Sequence, residues 1–192
     1  MKSIEEIRED IKKELTPKRF KHSIGTMEKA IELAKKYGED IEKVQYTALV
    51  HDMAKEMSKE QLIEYCKRNN IKLSKMDKLV PDILHGIVAA DIATKEYGFT
   101  KEMHDAIYYH TTGREEMTLL DKIIYIADKS EEKTRIGEYA EELRKITKDK
   151  GLNEAILFII DNWTIPKSIK EKKIIHINTI YARNDILKSI KE

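Results

Sequence analysis

The sequence predicts an all-α, single-domain protein, and three observations carry that prediction. Glycine occurs 7 times and proline 3 times in 192 residues, so helix breakers are scarce. Lys, Glu, Ile, Leu and Ala, which suit helices, are abundant. Apolar residues recur at i, i+3, i+4 spacing, and no repeat, low-complexity tract or long linker divides the chain.

Each helix follows from its own signals. A first is expected over about 3–15; Pro17 in "TPKR" disfavours helix at Thr16 and separates it from a second, about 18–37, closed by Gly38. Asp40 caps a third that continues to about 55, and Ser58 caps "KEQLIEYCKRNN", which fades at Asn69 and Asn70. "IKLSKMDKLVP" is a connector, and Pro81 suits the first turn of a helix over 81–97 ended by Gly98. Thr100 opens the next, to about His110, where "TTG" breaks it. "TLLDKIIYIADKSEE" is a strongly apolar helix. A charged helix at about 136–149 and an apolar one at about 151–163 follow, Pro166 stops that run, and a helix near 178–191 finishes the chain.

Composition narrows the function classes. Lys plus Arg is 36 and Asp plus Glu 35, a balance that argues against a general nucleic-acid binder. Cys66 is the only cysteine, so no intrachain disulfide forms and a metal site must use His and carboxylates. The charged start "MKSIEEIREDIKKEL" does not read as a signal peptide, and no stretch reaches the roughly 18 apolar residues of a membrane span. A cytoplasmic, membrane-free protein is expected.

Polar residues on inward faces are the informative feature. In "ALVHDMAKE", His51 and Asp52 lie in an apolar helix, where burying a polar group costs several kcal/mol unless it is satisfied. His85 shares a face with Val88, Ala89 and Ile92; His110 with Met103, Ala106 and Ile107; Asp128 with Leu120, Ile124 and Ala127. His22 lies beside the small Gly25 and Thr26. Four of the chain's six histidines thus point inward with two aspartates, a donor set that suits iron, manganese, nickel or zinc. The second His-Asp pair, His104–Asp105, is expected on the surface, and His176 in a loop before a helix capped by Asn178.

The ordered set His22, His51–Asp52, His85, His110, Asp128 resembles the HD-domain metal-dependent phosphohydrolases, whose core pattern is H…HD…D. The words "RFKHSIGT", "ALVHDMAKE", "LHGIVAAD", "YYHTTGREEM", "KIIYIADK" and "IHINTIYARN" together resemble the YqeK family. Its members are bacterial symmetrical bis(5′-nucleosyl)-tetraphosphatases, which split diadenosine tetraphosphate into two ADP. The resemblance implies one HD-domain helical bundle over 1–192, with a dinuclear metal centre in a core at about 18–135 and C-terminal helices at about 136–192 completing the substrate pocket. It further implies that His22, His51, Asp52 and Asp128 hold one metal, that His85 and His110 hold another, and that Asp52 bridges them. Iron is the first choice, manganese or another divalent ion the second, and a homodimer is implied. After Asp128 the chain reads "DKSEEKTR" where the family is close to "EPGR", so Arg135 matches the family's phosphate-contacting arginine one position late.

Two such metals can share a water and lower its pKa, making the bridging hydroxide the expected nucleophile and Asp52 the central catalytic residue. Lys55 is expected to bring charge to the phosphates and Glu56 to orient a ligand imidazole. Thr111 and Gly113 of "HTTG", Arg135, Arg183 and His22 are expected substrate contacts. The alternatives are an HD-domain phosphohydrolase acting on mononucleotides and a noncatalytic di-iron protein.

Overall fold

Side-chain caps set where the helices begin. The computed structural model describes residues 2–191. Ser3 and Glu6 form a capping box at the start of α1 (Ile4–Glu14), and Thr16 caps α2 (Pro17–Tyr37), with Pro17 in the first turn, where its missing N–H costs nothing. Gly38 closes α2 with φ 80°, a left-handed conformation only glycine adopts cheaply. Asp40 caps α3 (Ile41–Val50) and Ser58 caps α4 (Lys59–Arg68). A 3₁₀ turn, Pro81–Ile83, leads into α6 (Leu84–Tyr97), after a short α5 (Lys75–Leu79). Then come α7 (Lys101–Tyr108), α8 (Leu119–Ser130), α9 (Glu138–Asp149), α10 (Leu152–Ile159), α11 (Ile165–Lys170) and α12 (Ile177–Lys191).

The structure departs from expectation at four places. First, α3 ends at Val50, and 51–57 continue as successive tight turns, with bonds from Met53 to Val50, Lys55 to Asp52 and Met57 to Ala54. Second, the connector before Pro81 contains α5, nucleated by a Ser74–Asp77 capping box. Third, Pro166 does not stop the α10 run. A π turn, Ile160–Thr164, widens the chain so that Ile165 N–H reaches Ile160 O, and Pro166 falls in the first turn of α11. Fourth, Asn178 lies inside α12, and His176 instead accepts the Asn178 amide on Nδ1 at 3.2 Å.

Helix α8 is the hub. It packs against α2, α3, α7, α9 and α10, which is why Leu120, Ile123, Ile124, Tyr125, Ile126 and Ala127 are all fully buried. Helix α2 lies along α3, and α6 along α7. The ends of α3, α6, α7 and α8 therefore converge on one polar pocket inside the apolar core. No helix among the described residues is long and apolar enough to cross a membrane.

Candidate metal centre

The early end of α3 delivers the first two ligands. His51, the C-cap of α3 and still helical at φ −52° and ψ −35°, and Asp52 next to it both reach the same buried pocket, each essentially inaccessible to solvent. His51 Nδ1–H donates to Ala48 O at 2.7 Å, which leaves Nε2 as a lone pair facing inward. His51 Nε2 and Asp52 Oδ1 are buried and make no hydrogen bond. Such orphaned atoms are costly in a protein interior unless a ligand meets them.

The remaining donors complete two overlapping sets, His22, His51, Asp52, Asp128 and Asp52, His85, His110, with the ligand atoms of each set within 4.8 Å of one another. Asp52 divides its oxygens between them. Its Oδ1 lies 3.1 Å from His85 Nε2 and 3.5 Å from His110 Nε2, while Oδ2 lies 3.6 Å from His51 Nε2 and 3.7 Å from His22 Nε2. His110 repeats the His51 arrangement, with Nδ1–H on Ile107 O at 2.7 Å. The Nε2 atoms of His85 and His110 stand 3.1 Å apart, converging on a point that a cation would occupy.

Electrostatics keep the donors in ligand form. Burial pushes His110 down to about 4 and lowers His85, so both imidazoles are neutral at pH 7. Burial opposes ionisation of Asp52 and Asp128, but it is outweighed. The neighbouring His51, His110 and His85 hold Asp52 well below the usual carboxylate range, and Lys129, His22, His51 and Arg135 do the same for Asp128. All-nitrogen and oxygen donors without thiolate suit a divalent first-row metal, and the set fits such a centre.

Several expected contacts are placed elsewhere. Glu56 does not reach a ligand imidazole: its carboxylate accepts from Thr16 N at 3.0 Å and Thr16 Oγ1 at 2.6 Å, tying the turn after α3 to the start of α2. Three of the imidazoles are oriented instead, His51 and His110 by backbone carbonyls and His22 by Glu131, fully buried one turn after Asp128, which accepts from His22 Nδ1 at 3.1 Å. Glu131 also accepts from Lys133 N, Thr134 N and Thr134 Oγ1, and although burial opposes its charge, these bonds bring its pKa down to about 2. Its i+3 spacing from Asp128 was the available signal. His22 has no atom free for substrate, since Nε2 meets Asp128 Oδ1 at 2.9 Å. Gly113 is a tight turn: its N–H is held by Tyr109 O at 2.8 Å, its φ is 70°, and a Cβ would meet Ala182 Cβ at 2.9 Å. Arg183 is forked onto Asp161 at 2.5 and 3.0 Å and lines neither cleft beside the centre. Asp105 is buried under Lys101, His104 and Arg114, because Arg114 folds back from the turn after α7. His176 is buried too, with Nε2 on Asp77 Oδ1 at 3.1 Å.

Other expected residues do line the centre. Lys55 Nζ lies 3.2 Å from His85 Nε2, and Thr111 Oγ1 lies 3.3 Å from His110 Nε2. Arg135 donates to Asp128 O and Asp128 Oδ1 at 2.8 and 3.0 Å. Two cations went unforeseen. Arg19, one turn before His22, donates to Asp52 Oδ2 at 2.8 Å, and Lys129 donates to His110 O and Asp128 Oδ2. A cleft of about 640 Å³ opens over the centre, lined by Arg19, Lys55, Lys129 and Arg135 and walled by Tyr139 and Trp163.

Comparison with known proteins places this geometry. The family model for the HD domain matches residues 19–133. The symmetrical bis(5′-nucleosyl)-tetraphosphatase of Bacillus subtilis is 38% identical over 79% of this chain and 81% of its own. The protein of the same description in Halalkalibacterium halodurans is 37% identical over 92% and 93%. A crystal structure from Clostridium acetobutylicum, described as a predicted HD superfamily hydrolase involved in NAD metabolism, matches with a TM-score of 0.93 at 40% identity, covering 98% of this chain and 99% of that one.

Proposed function

This chain belongs to the HD-domain family, and from that membership we propose that it hydrolyses diadenosine tetraphosphate symmetrically, giving two ADP in a metal-dependent reaction. Water adds to one of the two inner phosphorus atoms. The bond from that phosphorus to the central bridging oxygen breaks, and the oxygen leaves as the terminal oxygen of the second ADP. One proton of the water passes to the departing oxygen or to solvent. Iron as the resident metal, with manganese as a substitute, a homodimeric assembly and a cytoplasmic location belong to the same proposal.

The observation that carries it is the cation-lined cleft directly over the two ligand sets. Bound divalent ions would supply Lewis-acid charge to the water and to the attacked phosphoryl oxygens. The chain's own residues do the rest. Arg135 uses Nε and Nη2 on Asp128 and keeps Nη1 for a phosphate oxygen. Lys55, held at the His85 edge, faces the same side and offsets charge on the departing ADP. Lys129 spends its ammonium on His110 O, Tyr125 O and Asp128, so it positions ligands and leaves phosphate to its neighbours. Arg19 steadies Asp52 in its divided orientation.

Chromatography of the products from diadenosine tetraphosphate, with metal-loaded protein, tests the proposal. ADP alone supports it. AMP with ATP overturns the symmetry. No turnover, with rapid phosphate release from a mononucleotide, replaces it by the mononucleotide alternative.

A further inference from the structure

A second cleft, of about 520 Å³, lies beside the metal cleft and is a candidate for the part of the substrate that the centre itself does not hold. It is formed where the turn before α6 meets the strap between α11 and α12, and its walls include Val80, Pro81, Ile83, Ile174 and Ile175. The two clefts share Thr111, Trp163 and Lys167. Thr111 is the residue whose hydroxyl stands 3.3 Å from His110 Nε2, so the seam runs beside the His85–His110 set. Trp163 leaves 45% of its surface exposed on this seam while Tyr139 packs behind its ring at 4.7 Å. Lys167 sits 5.4 Å from the indole centroid and has no carboxylate partner among the described residues.

We propose that this second cleft is the subsite for the distal adenosine, the nucleoside of the ADP half that does not lie in the metal cleft. The inference rests on symmetrical cleavage as the activity. A substrate cut at the middle of four phosphates carries a nucleoside beyond each pair, so each end requires its own pocket on opposite sides of the cutting point. Both clefts fall within the range of small-molecule sites, roughly 300–1,000 Å³. Their linings divide the work. The metal cleft concentrates Arg19, Lys55 and Arg135 where phosphates lie, whereas the second offers aliphatic walls for a purine beside a charged rim in which Lys173 is paired with Asp82 and Glu171. Lys167 on the seam meets the phosphate chain as it passes from one to the other, and the Trp163 indole offers a stacking face there.

Equilibrium dialysis of the metal-loaded chain against ADP tests the subsite without relying on turnover. Two ADP per chain are expected. Ile174→Trp and Leu79→Trp both start from exposed positions on the second cleft, 47% and 56% accessible, so filling it from either side leaves the core intact. Each variant should bind one ADP, with KM for diadenosine tetraphosphate raised about tenfold or more. Trp163 is the chain's single tryptophan, and its fluorescence in the unaltered protein should respond to ADP. One ADP bound by the unaltered chain, or two retained in both variants, overturns the subsite even where cleavage is symmetrical. A chain that binds two ADP, drops to one in the variants and yet turns over no diadenosine tetraphosphate keeps the subsite and overturns the activity.

Discussion

Gly25→Ala sets two physical effects against each other at the metal centre. In an ordinary helix interior the substitution stabilises by about 1 kcal/mol. At this position on α2 an added Cβ overlaps Glu131 Oε2 and stands 2.9 Å from Glu131 Cδ and 3.2 Å from Lys133 Cβ. The Glu131 carboxylate cannot stay, yet it is fully buried and accepts from His22 Nδ1, Lys133 N and Thr134 N at 3.1, 2.6 and 3.0 Å. Hydrogen bonds to a charged group are worth about 1.5–3 kcal/mol each, so losing two costs ~3–6 kcal/mol. The net destabilisation is then ~2–5 kcal/mol, a fall in Tm of roughly 4–20 °C for a chain of this size. Released from Glu131, His22 also loses its fixed ring orientation, which lowers metal affinity by about 10–100-fold. Thermal melts of the metal-free chain and titration with a divalent metal measure both effects. A Tm that rises, with affinity unchanged, would refute the packing argument.

Three further outcomes follow from the geometry. His22 is predicted to lose its metal first as pH falls. Burial lowers its pKa, but the bonds to Asp128 and Glu131 outweigh this and raise it, whereas His110 is pushed down to about 4. Metal content followed by elemental analysis from about pH 8 to below pH 4 should therefore fall in two steps, and simultaneous loss contradicts this. In the metal-free chain the raised His22 pKa acts on folding with its own sign. Protonated His22 contributes stability below its unfolded value of 6.5, and that contribution is lost as pH rises through the folded value; denaturant midpoints across this range check it. Lys55→Ala should keep the metals and raise KM, while Arg183→Ala should leave kinetics alone and cost about 1 kcal/mol or less from its half-exposed pair with Asp161. Steady-state kinetics showing the reverse order would return Arg183 to the substrate.

How far the sequence spoke depended on whether a residue's role was local. His85 and Asp128 share helix faces with buried Ala89 and Ile124, and His110 lies three residues after buried Ile107, so the i, i+3, i+4 spacing carries their inward placement locally. Caps at Asp40, Ser58 and Thr100 were equally legible, because a cap is written within four residues. The end of α3 at Val50 was not, since Met53–Met57 has helix-compatible composition. Glu56 and Glu131 are both acidic residues one turn from an aspartate ligand. What separates them is that Thr16 lies beside one and His22 beside the other, a tertiary fact with no local mark. Gly113 and Arg183 are set by tertiary contacts of the same kind: α12 packs on the first and Asp161 captures the second.

The claim on which the centre depends is that one carboxylate joins two metal sets, and metal stoichiometry tests it most directly. The unaltered chain, measured by elemental analysis after metal loading, should carry two equivalents, one for each ligand set. Asp128→Ala, which removes a ligand from one set only, should retain one. His104→Ala, on a partly exposed side chain outside both sets, should retain two. Asp52→Ala should retain none, because its Oδ1 faces His85 and His110 while its Oδ2 faces His22 and His51. An Asp52→Ala protein that folds and still holds one tight equivalent would contradict the bridge.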